Sequence, residues 1–359
     1  MLIVGGSFET GKPSKFVQKL ADELVANGMP TIVRNGGYWE DLVEHAMDAV
    51  KHETVLWMPD VANERPKLVD EIKKRAPHAL LITSKRNDGE KYSFGDLVAR
   101  ALKTRSNLML EISKNGRQFS TTILDPLGNV FVEKTVEIDQ VAAVLAQRIK
   151  DLQQGVRVKS VCRGDLLRVE VPDNAECFFE IVRTHAQTFH ELIHGANPTR
   201  MMGNASFRCE SGFPTFRDGN LMFVSKRDID KRDIGIAGFV PVSLASEHVV
   251  EYYAIKGNEP KPSVDSPINL RLYNQLPHIR YMLHSHTYVE EAPFTANVLA
   301  CGDLREAAEV MLLVNPGASF FAVNLRGHGS LVGASAPEML RYVKYVARPV
   351  PELQTIENG

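Results

Sequence analysis

The first 150 residues alternate two hydrophobic periods, and that alternation restricts the fold more than any other feature of the chain. The apolar runs MLIVGG, TIVRNGG, TVLWMPD and ALLITSK are each one strand long, and each precedes an amphipathic segment. In PSKFVQKLADELVANG the apolar positions Phe16, Val17, Leu20, Leu24 and Val25 recur at helical spacing and share a face. A helix between two strands carries the chain back to its starting edge, so successive strands run parallel. This predicts an α/β fold that begins with a doubly wound, Rossmann-like parallel sheet. LMLEIS and FSTTILDPLGNVFVEK then read as a hairpin, and a helix from Val136 to Gln153 closes the domain. A chain of 359 residues exceeds the usual reach of one core. The expected domains are therefore 1–155 and 156–359.

Beyond residue 156 the texture changes to short strands (VKSVCRG, LRVEVP), a helix from Asn174 to Gly195, and strands broken by glycine and charged turns. Ser266-Pro267 reads as an N-cap followed by proline at the first helical position, opening a helix through INLRLYNQL. Next comes YMLHSHTYV, an apolar and aromatic strand that carries two histidines. Alternate side chains share a strand face, so His284 and His286 project together with Met282 and Tyr288. Zn²⁺ accepts neutral imidazole nitrogens at roughly 2.0–2.1 Å, and two ligands on a rigid strand suit it, although a pair of satisfied strand histidines reads the same way. His328 lies between Gly327 and Gly329 just after another apolar strand, and Asp265 lies 19 residues ahead of His284.

Two other motifs compete for attention. HELIH, His190 to His194, satisfies the H-E-x-x-H pattern of zinc proteases, in which i and i+4 histidines share a helix face. Its flanks run into a turn without a downstream glutamate motif, and a helix with Phe189, Leu192 and Ile193 inward accounts for it equally. GGSFETGKP fits the spacing of a phosphate loop up to Lys12, but Pro13 stands where Ser or Thr must hold Mg²⁺. A helix start after such a turn can still hold an anion through its free N–H groups.

Three ordered stretches, GNASFR, KPSVDSPINLRLYNQLPHIRYMLHSHTYV and LRGHGSLVGAS, resemble the class II aldolase/adducin family, which includes L-fuculose-phosphate aldolase and L-ribulose-5-phosphate 4-epimerase. The resemblance spans roughly residues 175–345 and implies a class II aldolase-like α/β domain. It also implies a lyase acting on a small hydroxy-carbonyl substrate, sugar or sugar-phosphate-like, through a metal-stabilised enediolate. Epimerase, dehydratase and decarboxylase outcomes share that chemistry, and an adducin-like interaction protein without catalysis is the rival of another class. Carried over, the zinc ligands are His284, His286 and His328, with Zn²⁺ or another divalent ion such as Mn²⁺. Asp265 becomes a ligand or base, and Asn204 and Ser263 contact substrate phosphate. Two parts of the phosphate cradle depart from the family: FVSKRDIDK replaces a Thr-Pro-Ser-Gly turn, and Val264 replaces a serine. Lys226 and Arg227 offer charge for an anion in its place. Tyr342 and Tyr345 are the candidates for a C-terminal catalytic tyrosine acting from a neighbouring subunit, which carries with it an expected homo-oligomer, a tetramer by resemblance. The helix with HELIH falls on a family element that binds no metal.

The remaining composition narrows the partners. A formal charge of −2 supplies no basic footprint for nucleic acid or an anionic membrane. No apolar run has the length of a membrane span, the N-terminus lacks a signal-peptide layout, and a cytoplasmic location is expected. Cys162, Cys177, Cys209 and Cys301 are too scattered for a metal knuckle or a disulfide scaffold and read as reduced thiols.

Overall fold

The computed structural model describes residues 1–60, 66–115, 118–156, 159–166, 175–193, 203–208, 221–227, 229–246, 248–255 and 261–354. The chain divides into two compact units, Met1–Val156 together with Val350–Gly359, and Arg157–Pro349. The described residues 350–354, which the sequence reading groups with the second domain, thus fall with the first unit.

Unit 1 is built in chain order from β1 (Leu2–Ser7), α1 (Lys15–Ala26), β2 (Ile32–Asn35), α2 (Trp39–Asp48), β3 (Thr54–Asp60), α3 (Pro66–Arg75), β4 (Leu80–Arg86), α4 (Phe94–Lys103), β5 (Leu108–Asn115), β6 (Gln118–Leu124), β7 (Asn129–Thr135) and α5 (Ile138–Val156). Strands β2, β1, β3, β4 and β5 lie side by side in that order and all run parallel, as the βα alternation requires. β6 and β7 extend the sheet antiparallel as the expected hairpin. α1 buries Phe16, Val17, Leu20, Ala21 and Leu24 and leaves Val25 exposed, so its inward stripe is narrower than the sequence suggests. The strand order reverses between β1 and β3, the place where such sheets open a crevice. A cavity of about 1130 Å³ opens there, lined among others by Ser7, Lys12, Asp60, Lys85 and Tyr92.

Within this crevice the glycine-rich turn is occupied with itself. Ser7 Oγ accepts hydrogen bonds from the Glu9 and Thr10 amides, and Ser14 caps α1 by accepting from Val17. Asn35 braces Ser14 with its amide on one side and its carbonyl oxygen on the other. Gly6 adopts φ +81°, and a Cβ there would press on Asn35 and Gly36, so this glycine serves the close packing of two βα turns.

Unit 2 follows with β8 (Lys159–Leu166), α6 (Ala175–Ile193), β9 (Asn204–Arg208), β10 (Met222–Ser225), β11 (Phe239–Ser246), β12 (Val249–Ile255), α7 (Ser266–Gln275), β13 (Tyr281–Ser285), β14 (Tyr288–Val289), α8 (Arg305–Leu313), β15 (Phe320–Leu325), β16 (Gly329–Ala334) and β17 (Tyr345–Val346); β18 (Glu352–Leu353) then pairs parallel to β7 at the outer edge of the first sheet. The second sheet runs in the order β15, β16, β13, β9, β10, β11, β12, β8, antiparallel except where β12 meets β8. The expected strand LRVEVP lies outside the described residues.

Alternation along β13 sends its two faces to two cores. Tyr281 and Leu283 pack with Phe178, Phe179 and Phe207 under α6, whereas Met282 packs with Ile268, Leu272 and Val310 of α7 and α8. His284 shares the parity of Met282 and so faces the α7 and α8 side, near the strand's end. Among the described residues no helix is long and apolar enough to cross a membrane.

Candidate metal centre

Three imidazoles converge at one end of the second sheet. His284 is the penultimate residue of β13, His286 lies one residue beyond its end, and His328 sits in the turn joining β15 to β16. Their ring centroids are 4.6 Å (His284–His328), 5.1 Å (His284–His286) and 5.1 Å (His286–His328) apart. One ligand nitrogen from each falls within 4.8 Å of the others.

The backbone around them explains the motif glycines. A Cβ on Gly329 would run into the Ser285 carbonyl, and one on Gly203 into the His284 carbonyl. Only glycine lets β9 and β16 approach the strand that carries the histidines so closely. On the far side, Ser285 Oγ, Thr287 Oγ1 and Ser330 Oγ form a buried hydroxyl chain that fixes the bend after β13.

Hydrogen bonds define which nitrogen of each ring is open. His284 Nδ1 donates to the Ser330 carbonyl at 3.0 Å, leaving Nε2 with a lone pair. That Nε2 is buried and has no hydrogen-bond partner, and the same holds for His286 Nδ1. His328 Nδ1 donates to Glu306 Oε1 at 2.8 Å, and its Nε2 lies 3.1 Å from Cys301 Sγ. Buried polar atoms without partners are rare, and two converging ones next to a carboxylate-held histidine fit a divalent cation. Burial, helped by the neighbouring His328, lowers His284 to about 4 and His286 well below the usual imidazole range. Both rings are therefore neutral at pH 7, the form that ligates. His328 moves the other way: burial would lower it, but Cys301 and Glu306 outweigh that and raise it. Burial raises Glu306.

Asp265 is the N-cap residue of α7, one position earlier than the expected Ser266, yet its carboxylate does not cap the helix. Oδ2 accepts from Asn204 Nδ2 (3.1 Å) and Ser263 Oγ (3.2 Å), and Oδ1 accepts from the Gly302 amide (3.0 Å). The carboxylate stands 3.9 Å from His284 Nε2. Asn204, only 3% exposed, in turn accepts from Asn269 Nδ2. Asn204 and Ser263, expected at a substrate phosphate, are thus brought to the centre as braces of Asp265. Lys226 and Arg227 lie beside them: Lys226 bridges to Pro262, and Arg227 donates to the Pro262 carbonyl. Burial lowers the Lys226 ammonium from its ordinary range.

The two tyrosines are not brought to the histidines. Tyr342 is 83% exposed. Tyr345 packs edge-on against His185 and Phe189 in the α6 core, the face of β13 opposite His284, and its buried hydroxyl has no hydrogen-bond partner. Of HELIH, His190 lies in the last turn of α6, Leu192 and Ile193 are partly buried, the preceding Phe189 is buried, and His194 lies outside the described residues.

The sequence reading missed two residues. Glu306 sits on the inward stripe of α8 with Ala307 and Val310, and a carboxylate on an apolar stripe is a readable signal. Cys301, free in the structure, carries no signal in its spacing.

Residues 183–292 match the family described as class II aldolase and adducin N-terminal domain. Among solved structures, the chain is similar to the DNA/pantothenate metabolism flavoprotein of Streptococcus pneumoniae, at 10% identity over 42% of this chain and 97% of that one, with a TM-score of 0.34. It is also similar to Escherichia coli YgbL, titled a "putative aldolase/epimerase/decarboxylase", at 16% identity over 48% and 93% of the two chains, with a TM-score of 0.31. The C-terminal domain of the coenzyme A biosynthesis bifunctional protein CoaBC gives 14% identity over 42% and 94%, with a TM-score of 0.32. No curated protein is matched in sequence. The matched family stretch begins inside α6 and ends just past β14, so within unit 2 the framework beneath His284 and His286 is similar to the class II aldolase and adducin N-terminal domain.

Proposed function

We propose that unit 2 is a zinc-dependent lyase of the aldolase type that acts on a small hydroxy-carbonyl substrate. The observation that carries this reading is the pair of buried, unpartnered nitrogens, His284 Nε2 and His286 Nδ1, beside His328. His284, His286 and His328 hold the ion, and Glu306 fixes the tautomer of His328. When bound, the divalent ion supplies Lewis-acid stabilisation of the oxyanion that develops beside a breaking C–C or C–H bond, an effect worth several kcal/mol. Asp265, oriented by Asn204 and Ser263, is the group that takes or returns the substrate proton. Lys226 and Arg227 supply positive charge for an anionic group of the substrate at the rim. The enzyme assembles as a homo-oligomer, and of the two tyrosines Tyr342 is the one accessible to a second copy.

The test is proton exchange. Metal-loaded full-length protein incubated in D₂O with dihydroxyacetone, its phosphate and small 2-hydroxy aldehydes should incorporate deuterium beside the carbonyl of one of them. Asp265→Asn should retain the metal and lose the exchange. Metal-loaded protein that exchanges none of these compounds, and cleaves none, leaves the adducin-like role in place of the lyase.

A further inference from the structure

We infer that Arg348 is a substrate-binding residue, its guanidinium pairing with a carboxylate of the substrate beside the metal centre; this rests on the metal reading above and narrows the hydroxy-carbonyl substrate to a 2-hydroxy- or 2-oxo-carboxylate. β17 pairs antiparallel with β14, Tyr345 opposite Val289 and Val346 opposite Tyr288. Two residues further in the same register, Arg348 comes opposite His286. Its Nη1 donates to the His328 carbonyl at 3.4 Å, and its Cζ lies 5.5 Å from the centre of the Tyr288 ring. One arginine thus touches the turn of one metal ligand and lies level with another.

That contact is a poor brace. The His328 turn is already fixed: the Tyr288 hydroxyl accepts from the Gly327 amide at 3.1 Å, the His328 amide donates to the Leu325 carbonyl at 2.9 Å, and Glu306 holds the ring. At 3.4 Å the arginine bond is longer than the usual N–H···O range of about 2.7–3.2 Å and adds little to them. What arginine adds is charge. Burial lowers His286, the other two histidines add to this, and so do Arg348 and Lys231. Lys231, itself only 7% exposed, acts on His284 as well. A positive field where a divalent ion binds opposes that ion, and an anion placed between them reverses the sign of the interaction.

The place of the charge selects the anion. His284 and His328 are buried and His286 is only half-buried, so the centre opens on the side where Arg348 stands. Lys226 and Arg227 flank Pro262 and reach the centre through Ser263 and Asp265, on the His284 side. Arg348 is separate from them and level with a ligand, so the anion that meets it is carried close to the reacting carbons. A carboxylate satisfies that spacing and presents two oxygens to the guanidinium fork, whereas a phosphate ester stands further out across its ester oxygen.

Calorimetric titration separates this from the reading beneath it. Full-length zinc-loaded protein is titrated with glycolate, with hydroxyacetone as its uncharged counterpart, and with inorganic phosphate. Arg348→Gln, which keeps an N–H donor for the His328 carbonyl, should bind glycolate about 10- to 100-fold more weakly, the span of a charge-assisted hydrogen bond, with hydroxyacetone binding and zinc content unchanged. Arg348→Lys, which keeps the charge and loses the fork, should show a smaller loss of glycolate alone, and it serves as the test should Arg348→Gln fail to fold. Arg341→Gln, at an exposed pair with Glu180, should change nothing. Loss of glycolate and hydroxyacetone in equal measure, or loss of zinc from Arg348→Gln, makes Arg348 a brace and overturns the inference. A phosphate affinity that falls more steeply than that for glycolate overturns the carboxylate. Zinc-loaded protein whose glycolate affinity is the same with and without Arg348 overturns the role of Arg348 and leaves the three-histidine centre standing. A wild-type chain that takes up no zinc overturns both.

Discussion

Each unit buries a polar network against its sheet, and the two networks end differently. In unit 1, Thr83, Ser106 and Thr104 link hydroxyl to hydroxyl, and Asn87 donates both to the Tyr92 carbonyl and to buried Glu111. Asp125 accepts from Asn129, which is in turn held by Gln354, the residue after β18. These networks close on themselves and fix turns and edges. In unit 2 the chain Asn269–Asn204–Asp265 leads to imidazole nitrogens that have no partner. An unsatisfied buried group costs about 1–3 kcal/mol, so a site that keeps two together retains them for something outside the chain. A closed network is read as architecture and an open one as a site.

The largest expected effect tests the open network. His284→Leu should remove metal binding altogether, read as metal per chain, while changing the metal-free stability by only about 1–2 kcal/mol, since the lost Nδ1 bond to the Ser330 carbonyl is offset in part by removal of the unpaired Nε2. Retained metal would break the comparison, and so would a large loss of metal-free stability. Gly329→Ala comes next. At φ +153°, with a Cβ driven into the Ser285 carbonyl, it should destabilise unit 2 by about 2–4 kcal/mol and displace His286. Hydrogen exchange should rise in peptides of unit 2 and stay unchanged in those of β1 to β5.

The closed network gives a smaller effect of the opposite kind. Asn87→Ala should destabilise unit 1 by about 1–3 kcal/mol by leaving Glu111 without its donor, and metal content should not move. The smallest is a pH effect. Burial lowers Lys73 to about 8 while its ammonium donates to the Ala79 carbonyl. Between pH 8 and 10.5 the unfolded chain binds the proton that the folded unit has released, so stability rises with pH across that window. Relative to Lys73→Met, the wild type should gain on the order of 1–2 kcal/mol in unfolding free energy from pH 8 to 10.

The parallel sheet was legible because each βα unit repeats two periodicities that cannot be mistaken for one another. The histidines were legible because His284 and His286 interrupt an apolar strand and His328 interrupts a glycine turn. What escaped was contact across sequence distance. Cys301 is 27 residues from His328 and Glu306 is 22, and no local period links either to a histidine. Tyr345 reads in sequence as a candidate for chemistry, but β17 pairs with β14 and turns its ring into the α6 core. Asp265 was found, but not its hold on Gly302, because a backbone amide leaves no mark in a sequence.

The return of β18 to the first sheet also sets a timetable. A ribosome delivers β1 through α5 first, then all of unit 2, and only afterwards the two-residue strand that pairs with β7. At roughly 5–20 residues per second, the outer edge of β7 waits on the order of 10–40 s for its partner. Throughout that interval the nascent sheet presents an unpaired edge to other chains. The period of greatest exposure to aggregation for unit 1 is therefore the time taken to synthesise unit 2.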